Sequence, residues 1–219
     1  MPTPDAHRGV PAGVPGEWSW LVDRASIVGP KLLGNVVVRT LDDGTRLAGR
    51  IVEVEAYEGP EDQASHARNG LRTDRNESMY RRAGTSYVYF TYGMHYCMNV
   101  ACFVEGVPHG VLVRGLEPVE GLERMTEHRR ARSPKARLRD RDLTNGPAKL
   151  TQALGIDREF DRHDLLKGRP PLHLERGGLA AGESVASGVR IGLRQCGEWR
   201  QLPWRWWIAE SAYVSPARV

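Results

Sequence analysis

The sequence predicts an α+β fold: a single domain with a curved, largely antiparallel β-sheet flanked by helices. Two hairpin patterns, at residues 35–57 and 86–104, join consecutive strands by short turns and therefore predict antiparallel pairing. Helical patterns at 17–33, 120–128 and 148–154 lie outside these hairpins. The 219 residues suit one large domain, and the sequence shows no internal repeat and no second domain.

Each element rests on a local pattern. The helix predicted at 17–33 is interrupted near Gly29-Pro30, because proline lacks the N–H that a helix interior needs. Asp42-Asp43-Gly44 is a turn between the first two strands. The polar segment 59–76 reads as a loop, and the Gly- and Pro-rich stretch 167–188 reads as irregular. The remaining strands are expected at 86–92, 95–104, 111–116, 190–193 and 204–209.

The composition is that of an ordinary globular chain. Hydrophobic residues make up 40% and charged residues 26%, and no apolar run approaches the ~18 residues of a membrane helix. Residues 1–16 are rich in Pro, Gly and Ala and lack an apolar signal core, so we expect a disordered tail before a single domain at 17–219. These features favour a cytoplasmic protein with no membrane partner.

The charge distribution is compatible with a polyanionic partner. The net charge is +4, and 27 Arg stand against only four Lys; a genome rich in G and C explains that excess equally well. Eight basic residues lie between Arg124 and Arg141, interrupted by Ser133-Pro134. This pattern predicts a mobile basic loop, which either contacts phosphates or is simply solvated. Taken alone, the sequence favours the solvated loop.

The three cysteines, Cys97, Cys102 and Cys196, fit no common zinc-binding spacing. We expect them to be small buried thiols. No metal site and no flavin or nucleotide cofactor is implied by the sequence.

Strand alternation places three chemically useful side chains on one face of segment 51–57. Glu53, Glu55 and Tyr57 are two residues apart and share a face, while the apolar residues between them face the core. A carboxylate beside an aromatic ring at a strand end suits catalysis. The alternative is a solvated polar face, which this segment alone favours.

The second hairpin carries an aromatic residue at its tip. Tyr92, followed by Gly93, falls at the turn, where exposure forgoes roughly 1.5–3 kcal/mol of burial. Such a ring either enters a stack of bases as a wedge or folds back onto the core. Tyr57 and Tyr89 likewise either sandwich a flat ligand or pack in an ordinary core.

Segment 49–66, GRIVEVEAYEGPEDQASH, resembles the signature of the 3-methyladenine DNA glycosylase family, mammalian alkyladenine type. Further blocks match in order: Arg75-Asn76, GTSYVYFTYGM at 84–94, CMN at 97–99, VLVRGLEP at 111–118, GPAKL at 146–150, ALGI at 153–156, RIG at 190–192, GEW at 197–199, WIA from 207 and Val214-Ser215. The resemblance is collinear from about residue 25 to 216, and it covers most of the chain.

This resemblance implies a monofunctional DNA glycosylase of base excision repair. Such an enzyme flips alkylated or deaminated purines, of the 3-methyladenine, hypoxanthine, ethenoadenine and 7-methylguanine class, from double-stranded DNA and hydrolyses the N-glycosidic bond. We expect a monomer that meets DNA in the nucleoid or the nucleus. A damage-binding protein without catalysis, and a hydrolase acting on RNA or nucleotides, are the alternatives.

The resemblance also implies the residues of catalysis. Glu55 matches the general base that orients and deprotonates the attacking water, and Arg114 matches a residue that helps to hold that water and the nearby phosphate. Lys149 matches a position near the DNA backbone. None of the four lysines lies in the matched pocket blocks, which favours hydrolysis over a Schiff-base mechanism.

Further matched positions imply a pocket for the flipped base. Tyr57, His66 and Tyr89 match its walls, and the His66 amide would donate to the purine 6-position. Tyr87 lines the same pocket, and Asn99 excludes guanine by crowding its 2-amino group. Tyr92 fills the space that the base leaves in the duplex.

Two departures from the family pattern are visible. Gly115 follows Arg114 where the family usually has Ala, and Gly110 precedes Val111 where Ala is also more frequent. Since both replacements remove a side chain, we expect them to enlarge the site and to alter the range of substrates rather than activity.

Overall fold

A computed structural model describes residues 13–134 and 137–216 and confirms the α+β fold class. Its strands are β1 (Val36–Thr40), β2 (Arg46–Glu58), β3 (Ser86–Thr91), β4 (His95–Cys102), β5 (His109–Glu120), β6 (Leu172–Glu175), β7 (Val185–Gly188) and β8 (Arg205–Ile208). The α-helices in this part of the chain are α1 (Ala25–Leu32), α2 (Leu122–Arg132) and α3 (Pro147–Leu154).

All strand pairs in the sheet are antiparallel, as the hairpin patterns predict. The main order is β3-β4-β5-β2-β1-β6, while β8 pairs with β2 and β7 pairs with β8. The long strand β2 therefore contacts three neighbours: β5 along one edge, and β1 and then β8 along the other. It is the strand from which the site is built.

The face alternation predicted for β2 is confirmed. Val52, Val54 and Ala56 lie in the main hydrophobic core, with the helices packed on that side. Glu53 and Glu55 point the other way but are also fully buried, so the solvated-face alternative is wrong. The pairing of β2 with β5 shifts register on either side of Glu53, and such bulges re-aim side chains next to functional sites.

Helix α3 ends where its sequence predicts and begins one residue earlier, at Pro147. Pro147 occupies its first turn, where the missing N–H costs nothing, and Gly155 ends it in the left-handed conformation at φ 64°. The helix packs against β4 and β5. Its N-terminal end thereby lies beside the strands that carry the candidate site.

Several boundaries differ from the sequence-based expectation. Helix α1 continues through Gly29 and Pro30, where the sequence predicted an interruption. Gly29 leaves room for the ring of Trp206, since a Cβ there would lie 2.8 Å from it. The expected mobile loop at 124–141 is wrong over its first half, which forms α2. Its dense arginines are compatible with a helix, because arginine is a good helix former.

Two further expectations about strands are corrected. The segment 167–188 is not wholly irregular, since β6 and β7 form where it pairs with β1 and β8. The strand expected at 190–193 is wrong, because its Ile191 N–H donates to a carboxylate instead of to a neighbouring strand. Strand β5 is also longer than the predicted 111–116, because β2 and β4 pair with its extra residues.

The disordered tail expected at 1–16 lies mostly outside the described residues. For residues 13–16 the expectation is wrong: Val14 is buried in the core, and the Gly13 carbonyl accepts a hydrogen bond from Arg82 over 2.7 Å. The apolar side chain of Val14 accounts for this extension. The three cysteines are buried free thiols, as expected. In the described residues, no helix is long and apolar enough to cross a membrane.

Candidate active site

Most of the side chains singled out in the sequence line one cavity of about 250 Å³. It lies between the hairpin β3–β4, the end of β2, β5 and the segment 191–193. Its walls include seven of the predicted positions: Tyr57, His66, Tyr87, Tyr89, Tyr92, Asn99 and Arg114. The volume is below the roughly 300–1,000 Å³ typical of pockets for drug-sized ligands, which suits a ligand the size of a single nucleobase.

Glu55 lies directly behind this cavity rather than in its surface. Its side chain is fully buried. Oε2 accepts a hydrogen bond from the Tyr57 hydroxyl over 2.8 Å and pairs with Arg114 Nη1 at 3.2 Å. Oε1 accepts the Ile191 N–H over 2.6 Å. The donors of these three partners fix the carboxylate in orientation, as its cost of burial requires.

Arg114 bridges two buried carboxylates. Its Nη1 meets Glu55, while its Nε meets Glu53 Oε1 at 3.2 Å. Glu53 is further held by Arg205 Nε at 2.7 Å and by the Ser215 N–H at 2.6 Å. Burial lowers the pKa of Arg114, but the two carboxylates outweigh burial and leave its pKa raised, so the guanidinium stays charged.

Tyr57 connects the carboxylate to the cavity. Burial, reinforced by the charge of Glu55, raises the pKa of the Tyr57 hydroxyl well above its ordinary value. The hydroxyl therefore stays protonated and donates to Glu55. The Arg190 guanidinium lies against the Tyr57 ring, 4.8 Å from its centroid, and the ring joins the cavity wall.

The opposite wall is an aromatic cluster from β3 and the loop before it. The rings of Tyr87 and Tyr89 lie 5.2 Å apart, and the His66 ring meets Tyr89 edge-on at 4.6 Å. His66 Nδ1 is hydrogen-bonded to the Tyr87 hydroxyl at 2.7 Å. Burial, with help from Arg75 and Arg68, lowers the pKa of His66 to about 4, so the imidazole is neutral at physiological pH.

Asn99 is fixed by the strand opposite. It pairs with Tyr87 in the β3–β4 ladder, and its Nδ2 donates to the Tyr87 carbonyl over 3.0 Å. The side chain is nearly buried and lines the cavity. Nearby, burial raises the pKa of Cys97 to about 11, so this lining thiol stays protonated.

The tip of the β3–β4 hairpin exposes the Tyr92 side chain. Tyr92 and Gly93 both adopt positive φ, at 52° and 68°, which is the pattern of the tight turns that join twisted strands. The Tyr92 side chain is 84% exposed, and Met94 beside it is 65% exposed. The fold-back alternative for Tyr92 is therefore wrong in this structure.

Lys149 does not reach the cavity wall. It lies in the first turns of α3, next to Pro147, which does line the cavity. Its Nζ donates to Asn145 Oδ1 over 2.7 Å. A role near a DNA backbone stays a prediction.

Sequence reasoning missed the wall formed by Ile191, Gly192 and Leu193. The signal was present, because the motif Arg190-Ile-Gly192 matched the family, but it was interpreted as a strand. Sequence reasoning also missed Met79 and Leu112, which are apolar residues without a distinguishing pattern.

The two glycine departures act at different places. A Cβ at Gly115 would lie 2.9 Å from the Tyr213 carbonyl and 3.2 Å from Glu53 Cβ, so this glycine admits the C-terminal segment and does not enlarge the cavity. A Cβ at Gly110 would find ordinary contacts with Met79, at 3.6 Å, and with Asn99. Since those two residues line the cavity, the expectation stands for Gly110 only, as a prediction.

A narrow aromatic cavity with a buried, arginine-paired carboxylate behind it is an arrangement that can hold a flat ring beside an acid–base group. The family model for methylpurine-DNA glycosylase (MPG) matches residues 19–212. The chain belongs to this methylpurine-DNA glycosylase family.

Similar proteins agree with this assignment. The DNA-3-methyladenine glycosylases of Mus musculus and Homo sapiens are 48% and 46% identical over 188 and 187 residues, each covering 84% of this chain. The chain spans only 56% and 62% of the length of these two relatives. A relative from Burkholderia orbicola (strain MC0-3) is 47% identical over 193 residues, which cover 88% of this chain and 87% of that protein.

Proposed function

We propose that the chain is a monofunctional DNA glycosylase that flips damaged purines from double-stranded DNA and hydrolyses their N-glycosidic bond. The proposed substrates are the 3-methyladenine, hypoxanthine, ethenoadenine and 7-methylguanine class. The observation that carries the proposal is Glu55, a buried carboxylate fixed by Arg114, Tyr57 and Ile191 directly behind an aromatic cavity.

The cavity and the hairpin tip explain how the base would be reached. A base inside a duplex must leave the stack, at a cost of a few kcal/mol. The exposed Tyr92 would fill the vacated space, and stacking on Tyr89 and Tyr57 would return about 1–3 kcal/mol per base. Electron-rich tyrosine rings favour electron-poor, cationic purines, such as those with an alkylated ring nitrogen.

The buried charges explain how the bond would be broken. Departure of the purine leaves positive charge on the sugar, which a carboxylate stabilises while it takes a proton from water. Glu55 performs both tasks in the proposal, and Arg114, whose guanidinium pairs with Glu55 at 3.2 Å, helps to hold the water. Water would reach Oε2 when the Tyr57 hydroxyl moves off it to let the ring stack on the base.

The backbone at His66 supports the proposed recognition of the purine 6-position. The His66 carbonyl accepts a hydrogen bond from Asn76 Nδ2 over 2.9 Å, which fixes this stretch of backbone at the cavity wall. Among the described residues, the His66 N–H has no hydrogen-bond partner of its own. It is therefore available to an acceptor on the base.

Hydrolysis without strand cleavage is supported by the lining of the cavity. A glycosylase that also cuts the strand needs an amine to form a Schiff base. In the part of the chain that the structure describes, no lysine lines the cavity. A damage-binding protein without catalysis would not need the paired carboxylate, which is costly to bury.

Excision of single lesions tests the proposal. Duplexes that each carry one damaged purine are incubated with excess protein, and free base and alkali-labile sites are measured. We expect base release with the strand intact until alkali is added, and no adduct trapped by borohydride. Absence of release from every lesion would overturn the glycosylase proposal, a trapped adduct would overturn the monofunctional mechanism, and equal action on free nucleosides would favour the alternative hydrolase.

A further inference from the structure

One buried arginine anchors the cavity wall that sequence reasoning missed. Arg190 immediately precedes the wall segment 191–193, and its side chain is fully buried. Its guanidinium forms a two-pronged pair with the equally buried Asp62, at 2.5 and 3.0 Å. It also donates to the carbonyls of Ala56, at 2.8 Å, and Trp199, at 3.0 Å.

This pair joins two walls of the cavity. Asp62 lies in the loop after β2 that carries His66, and it is itself oriented by the N–H groups of Glu58 and Ala64 at 3.2 and 2.9 Å. Arg190 lies behind the other wall and directly precedes its segment 191–193. The ion pair between them therefore ties the His66 side to the segment 191–193.

The same guanidinium supports the ring that covers Glu55. Its central carbon lies 4.8 Å from the centroid of the Tyr57 ring and 5.2 Å from that of Trp204. Such contacts between a cation and aromatic faces strengthen when they are desolvated. Arg190 itself does not line the cavity.

The connection to the reaction runs through a single backbone group. Ile191, the next residue, donates its N–H to Glu55 Oε1 over 2.6 Å. Because the guanidinium fixes the backbone one residue earlier, it sets where that N–H points. The four hydrogen bonds of the Arg190 side chain thus fix the position of the Ile191 N–H, which in turn holds Oε1 of Glu55.

We propose that Arg190, together with Asp62, is a positioning residue that orients Glu55 through the Ile191 N–H and touches neither the base nor the sugar. This inference rests on the proposed function, because it takes Glu55 as the general base. A buried ion pair is often no more stabilising than apolar residues of the same volume. Its contribution here is geometric.

The change Arg190→Lys tests this role. Lysine keeps the positive charge beside Asp62, but a point charge cannot hold a carboxylate and two carbonyls in one planar arrangement. We expect the single-turnover excision rate at saturating protein to fall about 10- to 100-fold, because misplacing a reacting group by about 1 Å costs up to about 100-fold. Affinity for a lesion duplex that resists cleavage should change less than about 3-fold.

Arg24→Lys is the matched control. Two nitrogens of Arg24 donate to the buried carboxylate of Glu58. Arg24 does not line the cavity. We expect this variant to excise at the wild-type rate. Should Arg190→Lys fail to fold, Asp62→Asn, which keeps the side-chain shape, replaces it with the same expected loss of rate.

Two measurements distinguish a positioning role of Arg190 from a purely structural role. In the Glu55→Gln background, Arg190→Lys should cause no further loss of rate, because the group that it orients is gone. The Ile191 amide proton, which donates to a carboxylate, should resonate downfield in wild type and move upfield in Arg190→Lys but not in Arg24→Lys. This second measurement does not depend on activity.

The outcomes distinguish this inference from the proposed function. Wild-type excision by Glu55→Gln would contradict the proposed function itself. A slow Glu55→Gln variant together with a folded, fast Arg190→Lys variant would contradict only the positioning role. Additive losses in the double variant, or an unmoved Ile191 amide proton, would also overturn it.

Discussion

The hydroxyl of Tyr57 donates to Oε2 of Glu55, two residues earlier on the same face of β2, over 2.8 Å. The relationship follows from strand geometry, which places alternate side chains on one face. The fully buried Glu55 carboxylate is thus linked to the cavity by the Tyr57 side chain, which lines the cavity. In the proposed mechanism, the attacking water would bind at Oε2, where the Tyr57 hydroxyl now donates.

Two substitutions of Tyr57 should separate the contribution of its ring from that of its hydroxyl. Tyr57→Phe keeps the stacking ring and uncovers Oε2, so we expect lesion binding unchanged and an excision rate no lower than that of wild type. Tyr57→Ala removes the ring and should weaken lesion binding by about 1–3 kcal/mol. Binding titrations and single-turnover release on the same duplex measure both. A large loss of rate in Tyr57→Phe would show that the hydroxyl is needed in the reaction.

Asn99 should decide whether undamaged guanine is accepted. Its amide donates to the Tyr87 carbonyl at the cavity wall, and in the proposed function a guanine 2-amino group would crowd it there. Asn99→Ser shortens the side chain, so release of unmodified guanine should rise while adenine lesions are largely spared. The removed hydrogen bond costs about 1 kcal/mol of stability. Equal loss on all substrates would assign Asn99 a purely structural role.

The basic segment 124–141 should contribute to salt-dependent binding through its exposed members. Arg132, Arg137 and Arg141 are exposed, whereas Arg124 already pairs with Asp43 at 3.0 Å. Replacing Arg132, Arg137 and Arg141, three of the five exposed arginines described in this segment, with alanine should reduce the slope of log affinity against log salt by about 0.9 for each lost phosphate contact. Arg124→Ala is the paired control, for which we expect little change. An unchanged slope in the triple variant would remove this segment from the DNA interface.

Two histidines, the buried His109 and the partly buried His66, should make the fold sensitive to mild acid. Burial lowers the pKa values of both His66 and His109 to about 4, below the ordinary histidine value of about 6.5. Between those values the unfolded chain binds more protons, so the free energy of unfolding should fall as pH decreases from 6.5 toward 4. From pH 7 to pH 5 we expect a loss of about 2 kcal/mol per histidine.

Urea unfolding at the two pH values measures this loss. His109→Gln should remove about half of the pH dependence, since it removes one of the two groups. A free energy of unfolding that is equal at pH 7 and pH 5 would contradict the assignment of neutral histidines at these two positions.

Strand alternation and turn chemistry were enough to predict where three side chains of the site lie, but their roles came from the family resemblance. They place Glu55 and Tyr57 on one face of β2 and Tyr92 at a hairpin tip, because these relationships depend on residues close in sequence. The segment 190–193 could not be predicted in this way. Its conformation depends on Asp62, more than a hundred residues earlier, and on a backbone donor that serves a carboxylate instead of a strand.

The N-terminal boundary and α2 illustrate the same limit. Composition predicts disorder for residues 13–16 and a loop after Arg124, yet tertiary packing of Val14 and Met125 overrides it. Local propensity is a weak guide where a single buried side chain joins a segment to the core.

The measurement that tests the central claim most directly is single-turnover excision by Glu55→Gln, alongside a binding titration on the same lesion duplex. Glutamine keeps the shape of the side chain, and Arg114 retains its contact with Glu53. Glu58→Gln, a buried carboxylate of β2 away from the cavity, is the control. We predict that Glu55→Gln still binds the lesion but loses at least about 100-fold in excision rate, while Glu58→Gln does not; near wild-type excision by Glu55→Gln would contradict the account.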